Sequence, residues 1–153
     1  MKRISTLLAV VLLSLLSACS GGEPPRAAEF VQAAPAEADF GTLRVRYNAL
    51  PTLALSEAVA RQYGVPRDAG TALVLVALRE VRGAEELDAD GDVSVTAHDL
   101  SGARQVVTLR KVDAGEYTDL IGTARISPRN SYRFEVVVTS GSRTETVKFQ
   151  RNF

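Results

Sequence analysis

The sequence predicts an all-β fold, an immunoglobulin-like antiparallel β-sandwich of about seven strands with one short helix. Three observations carry that expectation. From Leu43 onward apolar and polar side chains alternate with period two, which sends one face of each strand to a core and the other to water. Turn-forming pairs punctuate these runs at Asp90-Gly91, Ser101-Gly102, Ala114-Gly115, Ser127-Pro128 and Ser140-Gly141. A single segment breaks the alternation with helical spacing. A small β-barrel is the alternative way to close so many short strands.

In chain order, TLRVRYN points Leu43, Val45 and Tyr47 one way and Arg44, Arg46 and Asn48 the other. The helical segment follows, PTLALSEAVARQYGVPRD, in which Leu55, Val59 and Tyr63 share one face. Ser56 is its natural N-cap, and Gly64-Val65-Pro66 supplies a glycine, a hydrophobic residue and a stop. A two-turn helix crossing one end of the sandwich is expected. ALVLVALREV, from Ala72 to Val81, is apolar on both faces for most of its length and reads as a central strand. DVSVTAHDL sets Val93, Val95 and Ala97 against Ser94, Thr96 and His98. RQVVTLRKV (Arg104 to Val112) reads as one strand and EYTDLIGTARI (Glu116 to Ile126) as the next. SYRFEVVVTS alternates Tyr132, Phe134, Val136 and Val138, and RTETVKFQRNF closes the chain with Val147, Phe149 and Phe153.

The first forty residues are of another kind. Lys2 and Arg3 precede an apolar run from Ile4 to Leu16, the n-region and h-region of a secretory leader. The run of about 13 residues is shorter than the roughly 20 that a membrane span needs. It ends in Leu-Ser-Ala-Cys, which resembles the lipobox of bacterial lipoprotein precursors. That resemblance implies cleavage between Ala18 and Cys19 and lipid attachment at Cys19. Stable anchoring needs more than one acyl chain, and a diacylated thiol with an acylated amino terminus would supply them. Ser20, in place of the aspartate associated with inner-membrane retention, favours the outer membrane facing the periplasm. Cys19 is the only cysteine, so a disulfide framework is impossible. The chain is thus expected to divide into a leader at 1–18, a lipidated cysteine and flexible Gly/Pro/Ala/Glu-rich tether at 19–39, and one β-domain at 40–153.

Three stretches of the domain, RYNALPTLALSEAVARQYGVPRD, DLSGARQVVTLRKVDAGEY and TVKFQRNF, occur in the order found in an exported proteobacterial family, domain of unknown function 4426, which the chain resembles. The resemblance implies a small β-rich envelope domain. It carries over no activity, cofactor or site residue.

Charge and motifs exclude several functions. Basic and acidic side chains number 18 each, so nothing in the overall charge argues for nucleic acid or an electrostatic membrane surface. No phosphate-binding glycine motif occurs. In DADGDVSVTAHD, oxygen-bearing residues from Asp88 through Asp90 and Asp92 to Asp99 fall at calcium-loop spacing, but Val93 sits where the sharp turn needs glycine. An Asp-Gly hairpin turn is therefore the reading, with Asp88, Asp90 and Asp92 only a weak metal candidate. His98 is the sole histidine, and strand alternation sends it and Asp99 to opposite faces, which argues against a hydrolase triad. Asn48, Arg61 and Arg67 form the candidate binding surface at the helix-capped end. The expectation is a non-enzymatic, lipid-anchored binding or accessory domain without cofactor, held to the membrane by its lipid and partnered by another envelope protein. A carrier or sensor of a small ligand or anion at the helix-capped end is the alternative.

Overall fold

β3 (Thr71–Arg82) is the axis of the computed structural model, which describes residues 36–153. The expected leader, Cys19 and most of the expected tether lie outside the described residues. One side of β3 pairs antiparallel with β2 (Leu43–Pro51), whose far edge takes β1 (Ala36–Phe40). The other side is shared end to end by β8 (Thr118–Arg125) and the short β4 (Glu85–Asp88), and β7 (Arg110–Asp113) closes that edge. A second sheet runs β10 (Arg143–Asn152), β9 (Ser131–Ser140), β5 (Asp92–His98), β6 (Arg104–Val107). All pairings are antiparallel, and two sheets form where a barrel would have closed into one. The sandwich expectation holds.

The period-two pattern builds the core directly. Val45, Ala72, Val74, Val76 and Leu78 of the six-stranded sheet meet Val95, Ala97, Phe134, Val136, Val138 and Val147 of the four-stranded sheet. Phe149 stacks on Phe134 at 5.0 Å between centroids and lies 4.8 Å from Tyr47, closing one flank.

β3 is buried on both faces, as its continuous apolar run requires. On its other face Leu73 belongs to a second cluster with Leu50, Leu55, Ala60 and Ile121, and Val59, Tyr63, Val65 and Leu75 lie against them. Helix α1 (Glu57–Gln62) therefore covers the outer face of the six-stranded sheet, and does not cross the sandwich end as the sequence suggested. The periodicity identified the helix correctly but carried no information about which apolar surface it covers. Its caps form as expected: the Ser56 hydroxyl accepts from the Val59 N–H at 3.2 Å. At the other end Gly64 takes φ +58°, while the Val65 and Gly64 N–H groups donate to the Ala60 and Arg61 carbonyls at 2.9 and 3.0 Å. This is the paired-bond C-terminal motif that a glycine in left-handed conformation permits.

Among the described residues ten strands stand where about seven were expected. β1 uses five residues, four of them assigned from sequence to the tether, because Ala36, Ala38 and Phe40 alternate against β2. β4 is a short strand after the Gly83 turn. RQVVTLRKV is two strands in different sheets, the chain crossing between them at Thr108-Leu109. Asp90-Gly91 is likewise a sheet-to-sheet crossing and not a hairpin turn, since β4 belongs to one sheet and β5 to the other. Gly91 has no positive φ. A Cβ there would come within 3.0 Å of both Leu78 and the Thr139 carbonyl, so close approach is what selects glycine.

Gly122 shows the same constraint in the middle of β8. A Cβ on it would lie 2.6 Å from the Thr108 carbonyl oxygen and 2.7 Å from Val107 Cγ1, so the crossing segment rests directly on this glycine. Gly122→Ala is expected to lower stability by about 1–3 kcal/mol through overpacking. Urea denaturation at an unchanged m-value is the check, and an unmoved midpoint would show that the crossing does not press on β8.

Candidate functional site

The three residues of the sequence-predicted surface do not form one site. Asn48 is buried at 7% exposure, and its Oδ1 accepts from the Ala49 N–H at 2.9 Å and from Arg151 at 3.3 Å. Its alternation with Arg46 suggested exposure, but a strand position says nothing about a long side chain arriving from another strand. Arg61 and Arg67 do come together, lining an open groove of about 450 Å³ with Glu57, Val65 and Pro66. Glu57 lies 3.4 Å from Arg61 and 3.9 Å from Arg67, and Arg67 also donates to the Leu53 carbonyl. An anion entering this groove would compete with a carboxylate already there.

Arg44 and Arg46, a second basic pair on the β2 face, are neutralised across the sheet. Arg44 holds Asp39 at 2.7 Å and Glu86 at 2.8 Å, and Arg46 holds Glu86 at 2.7 Å and Glu37 at 3.2 Å. The hydrogen bond from Arg46, then that from Arg44, keeps the Glu86 carboxyl below the usual carboxylate range, and Arg44 does the same to Asp39. These are partly exposed pairs, of the kind that stabilise modestly but set register well. They clip β1, β2 and β4 over the charged end of β3.

The acidic turn is engaged in the same region. Where the partner of β3 changes from β8 to β4, Arg79 lies buried in the seam at 4% exposure. Its guanidinium reaches Asp119 at 2.5 Å and Asp88 at 3.3 Å, donates to the Leu78 and Thr118 carbonyls, and lies 4.4 Å over the Tyr117 ring. Asp88 accepts in turn from the Thr118 N–H at 2.9 Å. Asp88 thus joins the beginning of β8 to the end of β4. Asp90 receives Ser140 at its backbone carbonyl. Among the described residues, no group of three or more His, Cys, Asp or Glu stands where it could hold a metal ion. Sequence reasoning did not single out Arg79; the available signal was a lone charge continuing the outward, apolar row of a central strand.

His98 lies half-buried on the outer face of the four-stranded sheet, opposite Arg133 on one side and Arg104 on the other. Asp99 does not orient it. That carboxylate accepts from the Ser101 hydroxyl at 2.6 Å and from the Ser101 and Ala103 N–H groups, which hold it below its ordinary range, the hydroxyl most strongly. Asp99 is the structural centre of the β5–β6 turn.

A family model described as a domain of unknown function (DUF4426) matches residues 37–153. Among solved structures, the chain is similar to a DUF4426 family protein from Pseudomonas aeruginosa, with 23% identity and a TM-score of 0.65 over 78% of this chain and 94% of that one. It is also similar to a copper-bound variant of FetP from uropathogenic Escherichia coli, with 12% identity and a TM-score of 0.54 over 78% and 95% of the two chains. FetP as isolated, recombinantly expressed in the periplasm of E. coli, gives 11% identity and a TM-score of 0.52 over 78% and 93%. At these identities the likeness to the solved structures is one of fold. No curated protein is significantly similar in sequence.

Substitutions separate the structural member of the predicted surface from the two exposed ones. Asn48→Ala should cost about 1–3 kcal/mol by leaving buried donors unpaired, whereas Arg61→Ala should stay within about 0.5 kcal/mol. Thermal or urea unfolding of the two variants reads the difference, and equal midpoints would contradict the burial of Asn48.

Proposed function

The chain belongs to the DUF4426 family, and on that premise we propose that it is an exported, lipid-anchored envelope domain that works by binding and not by catalysis. The observation that carries the reading is the order of segments. A charged n-region, an apolar h-region and Leu-Ser-Ala-Cys precede a Gly/Pro/Ala-rich stretch, and the family match begins only at 37. A lipid on Cys19 followed by a Gly/Pro/Ala-rich stretch would hold the β-domain near a membrane without embedding it. The periplasmic expression of FetP, a protein of the same fold, accords with an envelope setting.

The copper bound by the FetP variant does not transfer to this chain. Copper sites draw on several imidazole, thioether or thiolate donors. Here His98 is the only histidine, and the single methionine and single cysteine, Met1 and Cys19, both precede the domain. The donor set does not fit that metal. The groove at Arg61 and Arg67 gives the small-anion alternative less support than the sequence did, because Glu57 shares it. Another envelope protein remains the partner proposed for the tethered domain.

Replacing Cys19 tests the anchor. Cys19→Ala expressed in a Gram-negative host is expected to lose incorporation of labelled fatty acid and to accumulate as the uncleaved precursor, while the wild type is labelled, processed and membrane-bound. A variant that still acquires lipid and fractionates normally would overturn the reading.

A further inference from the structure

The outer face of the four-stranded sheet carries a charge pattern that the balanced composition conceals. One cross-strand row reads Gln150, Arg133, His98, Arg104, and the next reads Lys148, Glu135, Thr96, Val106. Arg133 and Arg104 thus flank His98 on one sheet face, two strand spacings or roughly 10 Å apart. Glu135 is the only carboxylate in the two rows and is held by Lys148 at 2.9 Å. Among the described residues neither Arg104 nor Arg133 has an ion-pair or side-chain hydrogen-bond partner. The other sheet resolves the same problem internally, setting Glu37, Asp39 and Glu86 against Arg44 and Arg46. Here a single carboxylate, Glu135, paired with Lys148 and within electrostatic reach of His98 and Arg104, stands among four basic side chains.

Apolar groups flank this basic row. Val106 lies on the same face, 64% exposed, and Leu100 projects from the adjoining β5–β6 turn at 75% exposure. They are two of the four large hydrophobic side chains exposed among the described residues. A compact oxyanion would use the shallow pocket of about 260 Å³ at His98, Arg133, Glu135 and Lys148 but would leave both apolar groups in water. A surface of anionic headgroups over acyl chains meets both requirements at once, cations at phosphate level and short apolar tips below it.

We infer that this face docks on an anionic lipid surface, with Arg104, Arg133, His98 and Lys148 meeting headgroup phosphates and Leu100 and Val106 entering the interface. The lipid anchor is not a premise of this assignment, because the face lies wholly within 36–153. The solved DUF4426 relative consists almost entirely of the matching unit, 94% of its chain being covered, so the unit folds on its own.

The test uses residues 36–153, which lack Cys19, with vesicles of phosphatidylcholine alone and vesicles in which about one third is phosphatidylglycerol. The domain should sediment with the anionic vesicles only, and be released as salt rises from about 0.05 to 0.5 M. Arg104→Glu with Arg133→Glu should weaken partitioning roughly tenfold or more at an unchanged melting curve, and Leu100→Ser should weaken it by a smaller factor. Failure to bind anionic vesicles, or equal binding by the variants, overturns the inference. So does a rise in melting temperature with millimolar inorganic phosphate and no vesicle binding, which would make the face a site for a soluble oxyanion. Because Cys19 is absent throughout, none of these outcomes bears on whether the full chain is lipidated.

Discussion

Burial of β3 on both faces is the constraint from which the rest of the domain follows. A strand of a plain sandwich buries one face. Here Ala72, Val74, Val76 and Leu78 face the second sheet while Leu73, Leu75, Ala77 and Arg79 face outward, and all but Leu75 are nearly or fully buried. Leaving that outer row in water would expose a continuous apolar stripe on a long strand, the kind of surface that invites aggregation. The chain covers it with two different materials. At the Thr71 end the α1 segment packs Leu55 and Ala60 onto Leu73 and Ile121. At the Arg82 end Asp88 of β4 and Asp119 of β8 gather around Arg79.

The two covers differ in what they tolerate. The apolar one is non-directional, so neighbouring hydrophobic residues of similar volume can substitute. The charged one depends on geometry, since a buried guanidinium that loses a carboxylate is left uncompensated. Arg79 also donates to backbone at the seam, to the Thr118 carbonyl and to the Leu78 carbonyl, which accepts from the Ala89 N–H as well. The same economy appears at the opposite edge, where Gln105 makes two bonds to the Arg125 backbone and links β6 to β8 across the sheets. The sandwich edge is closed there by one side chain and by the crossing segment that rests on Gly122.

How much of this was legible in the sequence depends on the range of the interaction concerned. Local signals were read correctly: the continuous apolar run of β3, the Ser56 cap, the Gly64 stop and the alternation of β9 and β10 each depend on neighbours within a few residues. The sheet crossing at Thr108-Leu109 was not legible, because RQVVTLRKV contains no turn residue and Val107 and Leu109 both face the core. β1 was hidden by composition, its inward positions being two alanines and Phe40. Asn48 looked exposed because Arg151, which reaches it, lies 103 residues away. The basic row on the four-stranded sheet comes from four strands, and only the strand order brings it together. Leu-Ser-Ala-Cys is an equally local pattern, but it lies outside the described residues.

The domain is thus a scaffold whose interior serves to cover one strand, leaving the second sheet's outer face as the broad surface on which basic side chains outnumber carboxylates. That division rests on β3 being sealed on both sides. Amide hydrogen exchange along the chain tests it most directly, since it separates segments that open locally from those that open only with the whole fold. The account predicts that β3 from Ala72 to Arg79 exchanges only through global unfolding, more slowly than the edge strands β1 and β10. Exchange in Leu73 to Ala77 as fast as in those edges, through local lifting of the helix, would contradict it.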